Sequence, residues 1–257
     1  MPAIQLSVVI ITLNEAKNIQ RCLDSVTSLA DEIIVVDSYS KDNTAQICSQ
    51  YPKLKFVRNT FEGHIQQKNF ALDQASHDFV LSLDADESLS GHLLDEIRKI
   101  KDDATSDGYL INRLNVYCGK EIRHCGWYPD RKLRLFNRHK ARWGGQNPHD
   151  KVIMKEGTKK SALTGDLIHF SFQSIDEHLL QIHKFAAISA HEKFIAGQST
   201  PFLYTLVRVP VSFIKKYILK LGFMDGYYGF VISVLTSYGT FIKDIQLREL
   251  HKKNRHD

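Results

Sequence analysis

Four apolar, β-branched runs in the first hundred residues, each followed by a stretch with helical spacing, constrain this chain more than any other feature. The runs are "IQLSVVIIT", "EIIVVDS", "KLKFVRN" and "DFVLSLDAD". The stretches after them are "NEAKNIQRCLDSV", "KDNTAQICSQY", "HIQQKNFALDQA" and "SGHLLDEIRKI". A strand that is apolar throughout must be covered on both faces. The alternation therefore predicts an α/β fold with a mostly parallel sheet and crossover helices. Ser38, Ser40 and Asn43 supply cap chemistry before the second helix.

In open sheets of this kind, ligands sit beyond the carboxyl ends of the strands. Thr12, Asp37 and Asp84 all fall at such ends. Asp84 also opens "DADE", where Asp86 and Glu87 follow closely. An isolated D-x-D can be a solvated turn. After a buried strand, the same acids can serve a hard divalent cation, which takes oxygen ligands and usually keeps one or two carboxylates plus substrate phosphates. Glu87 is expected to start the next helix, where a negative charge is favourable. A carboxylate at Asp37 can accept from a ribose hydroxyl or a base N–H, or can cap a helix. No P-loop is present, and no G-x-G-x-x-G follows the first strand, which speaks against a dinucleotide fold.

Residues 108–172 differ in character. They are rich in Arg, Trp, Gly and His, with short extended pieces such as "GYLINRLNVY", "KLRLFNR" and "DLIHFSF". These are mixed strands and long loops finishing the α/β domain. If "DRKLRLFNR" is a strand, Arg134 and Arg138 share one face and Arg131 takes the other. One of the three is expected to meet phosphate. His169 lies in a strand-like apolar run, where a histidine is more often a satisfied core residue than a ligand. Gly144 and Gly145 allow either a close approach to a ligand or a plain turn.

"SIDEHLLQIHKFAAISAHEKFIAG" reads as a helix capped by Ser174, with Asp176 and Glu177 in its first turn. The segment after it is the most apolar, and no charge falls between Gly226 and Ile242. From Pro201 onward there are nine lysines and arginines against four acids, which accounts for the whole net charge of +5. A neutral body with a basic, apolar tail points to an anionic surface as partner rather than to nucleic acid. The tail reads as a helical extension lying in a membrane interface, with an internal helical lid as the alternative. The four cysteines form no CxxC pair, and reduced thiols are expected. The start reads as a buried strand, not a signal peptide. Three spans result: 1–105, 106–173 and 174–257.

"VVIITLNEAKNI", "EIIVVDSYSKDNTAQI", "HIQQKNFAL" and "VLSLDADESL", in this order, resemble the nucleotide-sugar half of an inverting family-2 glycosyltransferase of the GT-A fold. "DRKLRLFNR", "WGGQNPHDKV" and "GDLIHFSF" extend the likeness. With "KLGFMDGYYGF", the chain is similar to glucosyltransferases of bacterial lipopolysaccharide core assembly. The resemblance implies transfer of a hexose from a UDP-sugar, with Mn²⁺ or Mg²⁺ as cofactor. The implied acceptor is a lipid-linked oligosaccharide at the cytoplasmic face of the inner membrane. It implies that Thr12 and Glu15 hold the uridine, that Asp37 bonds the uracil or ribose, and that Lys68 lies near the nucleotide. It also implies Asp84 on the ribose or the metal, Asp86 as the metal ligand bridging the diphosphate, Arg134 on phosphate, and His169 as a C-terminal metal ligand. Asp150, after the Trp-Gly stretch, takes the place of the catalytic base, with His149 as the alternative base or an acceptor contact. Close relatives are expected to carry Glu there, so Asp150 is one methylene shorter. Other readings are a UDP-sugar transferase for a different surface glycan, a nucleotidyltransferase, or a non-catalytic glycan- or lipid-binding scaffold. "TLNEAKN" lacks the glycine and arginine that a nucleotidyltransferase loop would need.

Overall fold

The computed structural model describes residues 3–146 and 149–254, with the His149 side chain outside the description. The chain forms two compact units, one of Met1–Leu114 with Asp130–Phe170, the other of Asn115–Pro129 with Ser171–Asp257. Residues 1–105 and most of 106–173 thus share one unit, while Asn115–Pro129 fold with the C-terminal helices.

The first unit opens with the expected alternation. β1 (Leu6–Thr12), α1 (Ile19–Val26), β2 (Glu32–Asp37), α2 (Thr44–Cys48), β3 (Leu54–Arg58), α3 (His64–Gln74) and β4 (Phe79–Asp84) follow one another. β1 pairs in parallel with both β2 and β4, and β2 with β3. Alternate strand residues feed two cores. Val8, Ile10, Ile33 and Val35 pack with Ile19, Leu23 and Val26 of α1 on one face. Val9, Ile34 and Val36 pack with Ala71 and Leu72 of α3 on the other. This two-sided burial is why the strands lack a polar alternation. Truncating such a residue to Ala costs about 2–5 kcal/mol.

The chain continues through β5 (Glu87–Leu89), α4 (Gly91–Asp102), β6 (Gly108–Tyr117), β7 (Lys120–Ile122), β8 (Asp130–Asn137), β9 (Ala141–Gln146), β10 (His149–Met154) and β11 (Lys160–Phe172). Ser90 caps α4, its Oγ accepting from Leu93 N at 3.2 Å. The sheet runs β3-β2-β1-β4-β8-β6-β11-β5. Beyond β4 the pairing turns antiparallel, β4 with β8, β8 with β6, and β11 with β5. The sheet is therefore parallel in its first half and mixed as a whole. β9 and β10 form a separate antiparallel ribbon. In the parallel half, register sets Thr12 opposite Asp37 and Ile11 opposite Asp84, so these strand ends lie level.

The second unit joins the β6–β7 turn to α5 (Ile175–Ile195), α6 (Phe202–Ile214) and α7 (Gly226–Lys253). Ser174 caps α5 as expected, its Oγ accepting from Glu177 N at 3.1 Å. Tyr117, Ile122, Cys125 and Ile232 form the core, with Trp127, Phe172 and Tyr228 against it. Asp225 is buried and accepts from the Arg123 and His124 backbone N–H groups at 3.2 and 2.8 Å. Asp244 on α7 is fully buried and accepts from Arg208 of α6 at 3.1 Å. A Cβ on Gly229 would run into the Gly222 carbonyl oxygen, so the start of α7 requires glycine there. Among the described residues no single helix is long and apolar enough to cross a membrane. The pair Phe202–Leu219 and Gly222–Lys253, bent by 68°, meets that test together by length and composition.

Candidate active site

Beyond the ends of β1, β2 and β4, a cluster of charged side chains converges from five elements. Lys68 on α3 is buried, and its Nζ lies 3.1 Å from Asp84 and 2.8 Å from Asp150 of β10. Arg134 on β8 is 3% exposed, and its Nη2 donates to Asp84 at 2.8 Å and to Glu87 at 2.7 Å. The indole of Trp143 on β9 faces both cations, 4.3 Å from Lys68 Nζ and 5.4 Å from the Arg134 guanidinium carbon. Such cation–π contacts favour holding positive charge in a desolvated site. Among the described residues, nothing bonds the buried Arg134 Nε and Nη1.

The electrostatics follow from this packing. Burial works against the Asp84 carboxylate, but Lys68 and Arg134 outweigh it and hold the group well below the usual carboxylate range. Burial raises Glu87, and Arg134 only partly offsets the rise. Burial would lower Arg134, but Glu87 and Asp84 keep its pKa raised. Breaking one partner out of a buried ion group leaves an uncompensated charge, commonly at a cost of about 3–5 kcal/mol.

Glu87 corrects an expectation. It does not start a helix; it opens β5, is 1% exposed, and accepts from the Asp84 N–H at 3.0 Å. Ser90 does the capping instead. Glu87 therefore fixes both the Asp84 backbone and the Arg134 guanidinium. Its signal was the third acid of "DADE", immediately after a buried strand. Trp143 was also missed, although the Trp-Gly stretch that contains it had been singled out.

The strand ends beyond β1 and β2 form a second, contiguous part. Asp37 is buried and accepts from Ser40 N at 2.9 Å and from Ser40 Oγ. Ser40 Oγ in turn accepts from Asn14 N at 2.7 Å, tying the two loops together. Asn14 and Tyr39 both have positive φ, at 56° and 61°. Non-glycine residues adopt that region rarely, and Asn does so more readily than most. Thr12 Oγ1 is buried and has no hydrogen-bond partner among the described residues. Glu15 accepts from Asn18 Nδ2 at 2.7 Å; burial raises its pKa despite that bond.

Asp86 and His169 form a pair of their own, with Nε2 and Oδ2 3.1 Å apart. The β5–β11 register brings His169 opposite Glu87. Asp84 lies with Lys68 and Arg134 rather than with this pair, and among the described residues no three His, Cys, Asp or Glu side chains gather as a metal cage. One carboxylate and one imidazole are a donor set that suits a hard cation drawing its further ligands from a diphosphate. They do not fit a closed structural metal site.

The remaining residues separate clearly. Arg138 lies just past β8 and its Nε donates to the His77 carbonyl at 2.9 Å, while Arg131 is exposed. Of the three arginines, only Arg134 joins the cluster. Gly144 and Gly145 lie in β9, and a Cβ on Gly144 would meet only the side-chain end of Ile153, at 2.7 Å. The His149 side chain lies outside the described residues.

Residues 7–164 match the family model described as Glycosyl transferase family 2. The chain belongs to this family. It is 30% identical to an uncharacterised glycosyltransferase of Rickettsia typhi, over 98% of this chain and 89% of that one. It is 28% identical to the lipopolysaccharide core biosynthesis glycosyltransferase LpsC of Rhizobium meliloti, over 98% of this chain and 94% of that protein. The fold is similar to that of a mannosyltransferase from Pyrobaculum calidifontis, solved with GDP-Man and Mn²⁺. There the TM-score is 0.51 at 14% identity, over 92% of this chain and 74% of that one. The fold is thus the GT-A glycosyltransferase architecture.

Proposed function

We propose that the chain is an inverting transferase that moves a hexose, glucose in the leading reading, from its UDP form. The acceptor is the inner core of lipopolysaccharide or a related lipid-linked glycan. The observation that carries this reading is the joining of Asp84, Lys68 and Asp150 at the strand ends of a family-2 fold. The likeness to LpsC supports the acceptor class.

The chemistry is one in-line displacement. An acceptor hydroxyl attacks the anomeric carbon, its proton passes to the Asp150 carboxylate, and the bond to the diphosphate breaks with both electrons leaving on the nucleotide. Lys68 and Arg134 stabilise the negative charge that develops on the leaving group. The incoming diphosphate competes with the carboxylates for these cations, and its engagement of Lys68 releases Asp150 for the acceptor. Thr12, Glu15 and Asp37 supply polar contacts to the uridine. Three carboxylates face two cations in the cluster, so an added diphosphate needs further positive charge. Asp86 and His169 would hold Mn²⁺ or Mg²⁺, and a cation held there would supply charge against the diphosphate.

We further propose that the enzyme works at the cytoplasmic face of the inner membrane as a peripheral protein, a reading supported by the surface of its C-terminal helices. Leu203, Val207, Leu219, Phe223 and Tyr227 are exposed, and Arg208, Lys215, Lys216 and Lys220 are the charges between Phe202 and Met224. Apolar side chains enter the interface while basic ones meet anionic lipid. The deciding experiment is a panel of UDP-sugars incubated with the protein and read by mass spectrometry. Turnover of UDP-glucose supports the reading. Turnover of another donor alone replaces glucose, and turnover of none in the presence of acceptor and Mn²⁺ overturns the enzyme.

A further inference from the structure

The β9–β10 ribbon carries Asp150, yet it forms a sheet of its own, so the ladder of the main sheet does not set its position. Three residues of α3 reach it. Lys68 lies 2.8 Å from the Asp150 carboxylate and 4.3 Å from the Trp143 ring. Asp73 pairs with Arg142 at 2.9 Å. Asn69 holds the backbone of Trp143 on both sides. Its Nδ2 donates to the Trp143 carbonyl at 2.9 Å, and its Oδ1 accepts from the Trp143 N–H at 3.1 Å.

These ties differ in kind. A lysine ammonium is a compact charge with rotatable donors, so it fixes a distance better than a direction. Asp73 and Arg142 are each more than half exposed, where an ion pair contributes little. The Asn69 carboxamide is planar and offers one acceptor and one donor group to a single residue, as a peptide of a neighbouring strand would. It therefore fixes both the place and the orientation of β9 at Trp143. The ribbon carries that constraint to β10. Trp143 is paired with Val152, and Gly145 with Asp150, two positions along each strand. Asp150 and Val152 consequently share one face of β10.

We propose that Asn69 is a positioning residue for the transfer: by clamping the Trp143 backbone, it sets where β10 presents the Asp150 carboxylate. The proposal rests on the reading of Asp150 as the base. In that reading the incoming diphosphate engages Lys68, so the ion pair no longer tethers Asp150 when the acceptor arrives. The Asn69 clamp uses no group that the donor competes for, and it persists through that exchange. A base displaced by about 1 Å can cost about 100-fold in rate, which is the scale of effect the clamp guards against.

The test compares the full chain with Asn69→Ala and Asn69→Asp by two measurements. The first, hydrogen exchange read by mass spectrometry, needs no turnover. In both variants the amides of residues 141–146 and 150–154 should exchange at least about tenfold faster than in the parent, while those of β1, β2 and β4 keep their rates. The second is steady-state kinetics with whichever UDP-sugar the parent turns over. In Asn69→Ala, kcat should fall at least about 30-fold while KM for the donor stays within about threefold. Asn69→Asp keeps an acceptor for the Trp143 N–H and loses the donor to its carbonyl. It should move both readouts the same way, and it decides the question if the alanine variant does not fold. Asp73→Asn, one turn along the same face of α3, should stay within about twofold of the parent in both. Unchanged exchange in the ribbon, faster exchange throughout the sheet, an unchanged kcat, or loss of kcat together with donor KM would each overturn the positioning role. A parent that turns over no donor overturns the transferase reading instead, and ribbon exchange alone then decides whether Asn69 sets the place of Asp150.

Discussion

The ammonium of Lys68 lies 2.8 Å from the carboxylate of Asp150, across 82 positions of sequence. The same ammonium reaches Asp84 at 3.1 Å, so one cation restrains two carboxylates on different strands. Lys68→Met should therefore destabilise the protein by about 2–4 kcal/mol, because both acids lose their counter-charge in a largely dehydrated site. Adding Asp150→Asn should recover part of the loss, and urea unfolding of the single and double variants measures the coupling. Strictly additive effects would mean that the ion pair contributes nothing to stability.

Asp150→Asn keeps the size and polarity of the side chain and removes its basicity. The transfer rate should fall by about 10²–10⁴-fold, while UDP-sugar affinity changes by less than about threefold. Single-turnover kinetics and calorimetry separate the two. Activity within twofold of the parent would remove Asp150 as the base.

Asp86→Ala should leave the Lys68–Asp84–Arg134 cluster in place, since its charge partner is His169. UDP binding to the parent should tighten on adding Mn²⁺, and the variant should show little or no tightening. Equal UDP affinity with and without Mn²⁺ in the parent would instead dissociate the Asp86–His169 pair from any cation.

His178 gives a stability effect with a defined pH window. It is buried, hydrogen-bonded to the Tyr117 hydroxyl at 3.1 Å, and burial pushes its pKa down to about 4 from 6.5. Its neutral form is favoured in the fold, so its stabilising contribution is complete above pH 6.5. That contribution is lost as the pH falls towards 4, by an amount on the order of 2–3 kcal/mol. The raised pKa of Glu87 works in the opposite sense, destabilising the fold as the pH rises above 4.5. Comparing urea unfolding of the parent and His178→Gln across this range isolates the histidine: the variant should lose less stability on acidification, and parallel curves would exclude it.

Leu219→Glu combined with Phe223→Glu changes two exposed side chains and should leave thermal stability within about 1 kcal/mol. Cosedimentation with vesicles containing anionic lipid should drop several-fold. Unchanged cosedimentation would show that this surface does not enter a bilayer.

The parallel half of the sheet was legible because each run is buried on both faces, as Val8 and Val9 show by entering opposite cores. Thr12, Asp37 and Asp84 could be placed level because strand ends in such sheets have a common side. Lys68 and Arg134 came only from the likeness to a family, since nothing local marks a lysine in "QQKNFAL" or selects one arginine of three. Glu87 was misread because helix-start chemistry is local, whereas its burial depends on β5 pairing with residues 167–169, eighty positions further on. The membership of Asn115–Pro129 in the helical unit depends on the same kind of distant pairing, such as Asp225 with the His124 backbone.

That last arrangement bears on how the protein can be recombined. The helical unit is discontinuous in sequence, since Asn115–Pro129 belong to it and Asp130–Phe170 do not. A chimera joined at residue 173 would import foreign helices onto a native 115–129 segment, leaving Asp225's partners on one parent and Asp225's counterpart on the other. Exchange between relatives therefore requires two grafts made together, the loop and the tail. Natural substitutions in Arg123–Cys125 should accordingly travel with substitutions in Gly222–Gly229 when sequences of such transferases diverge.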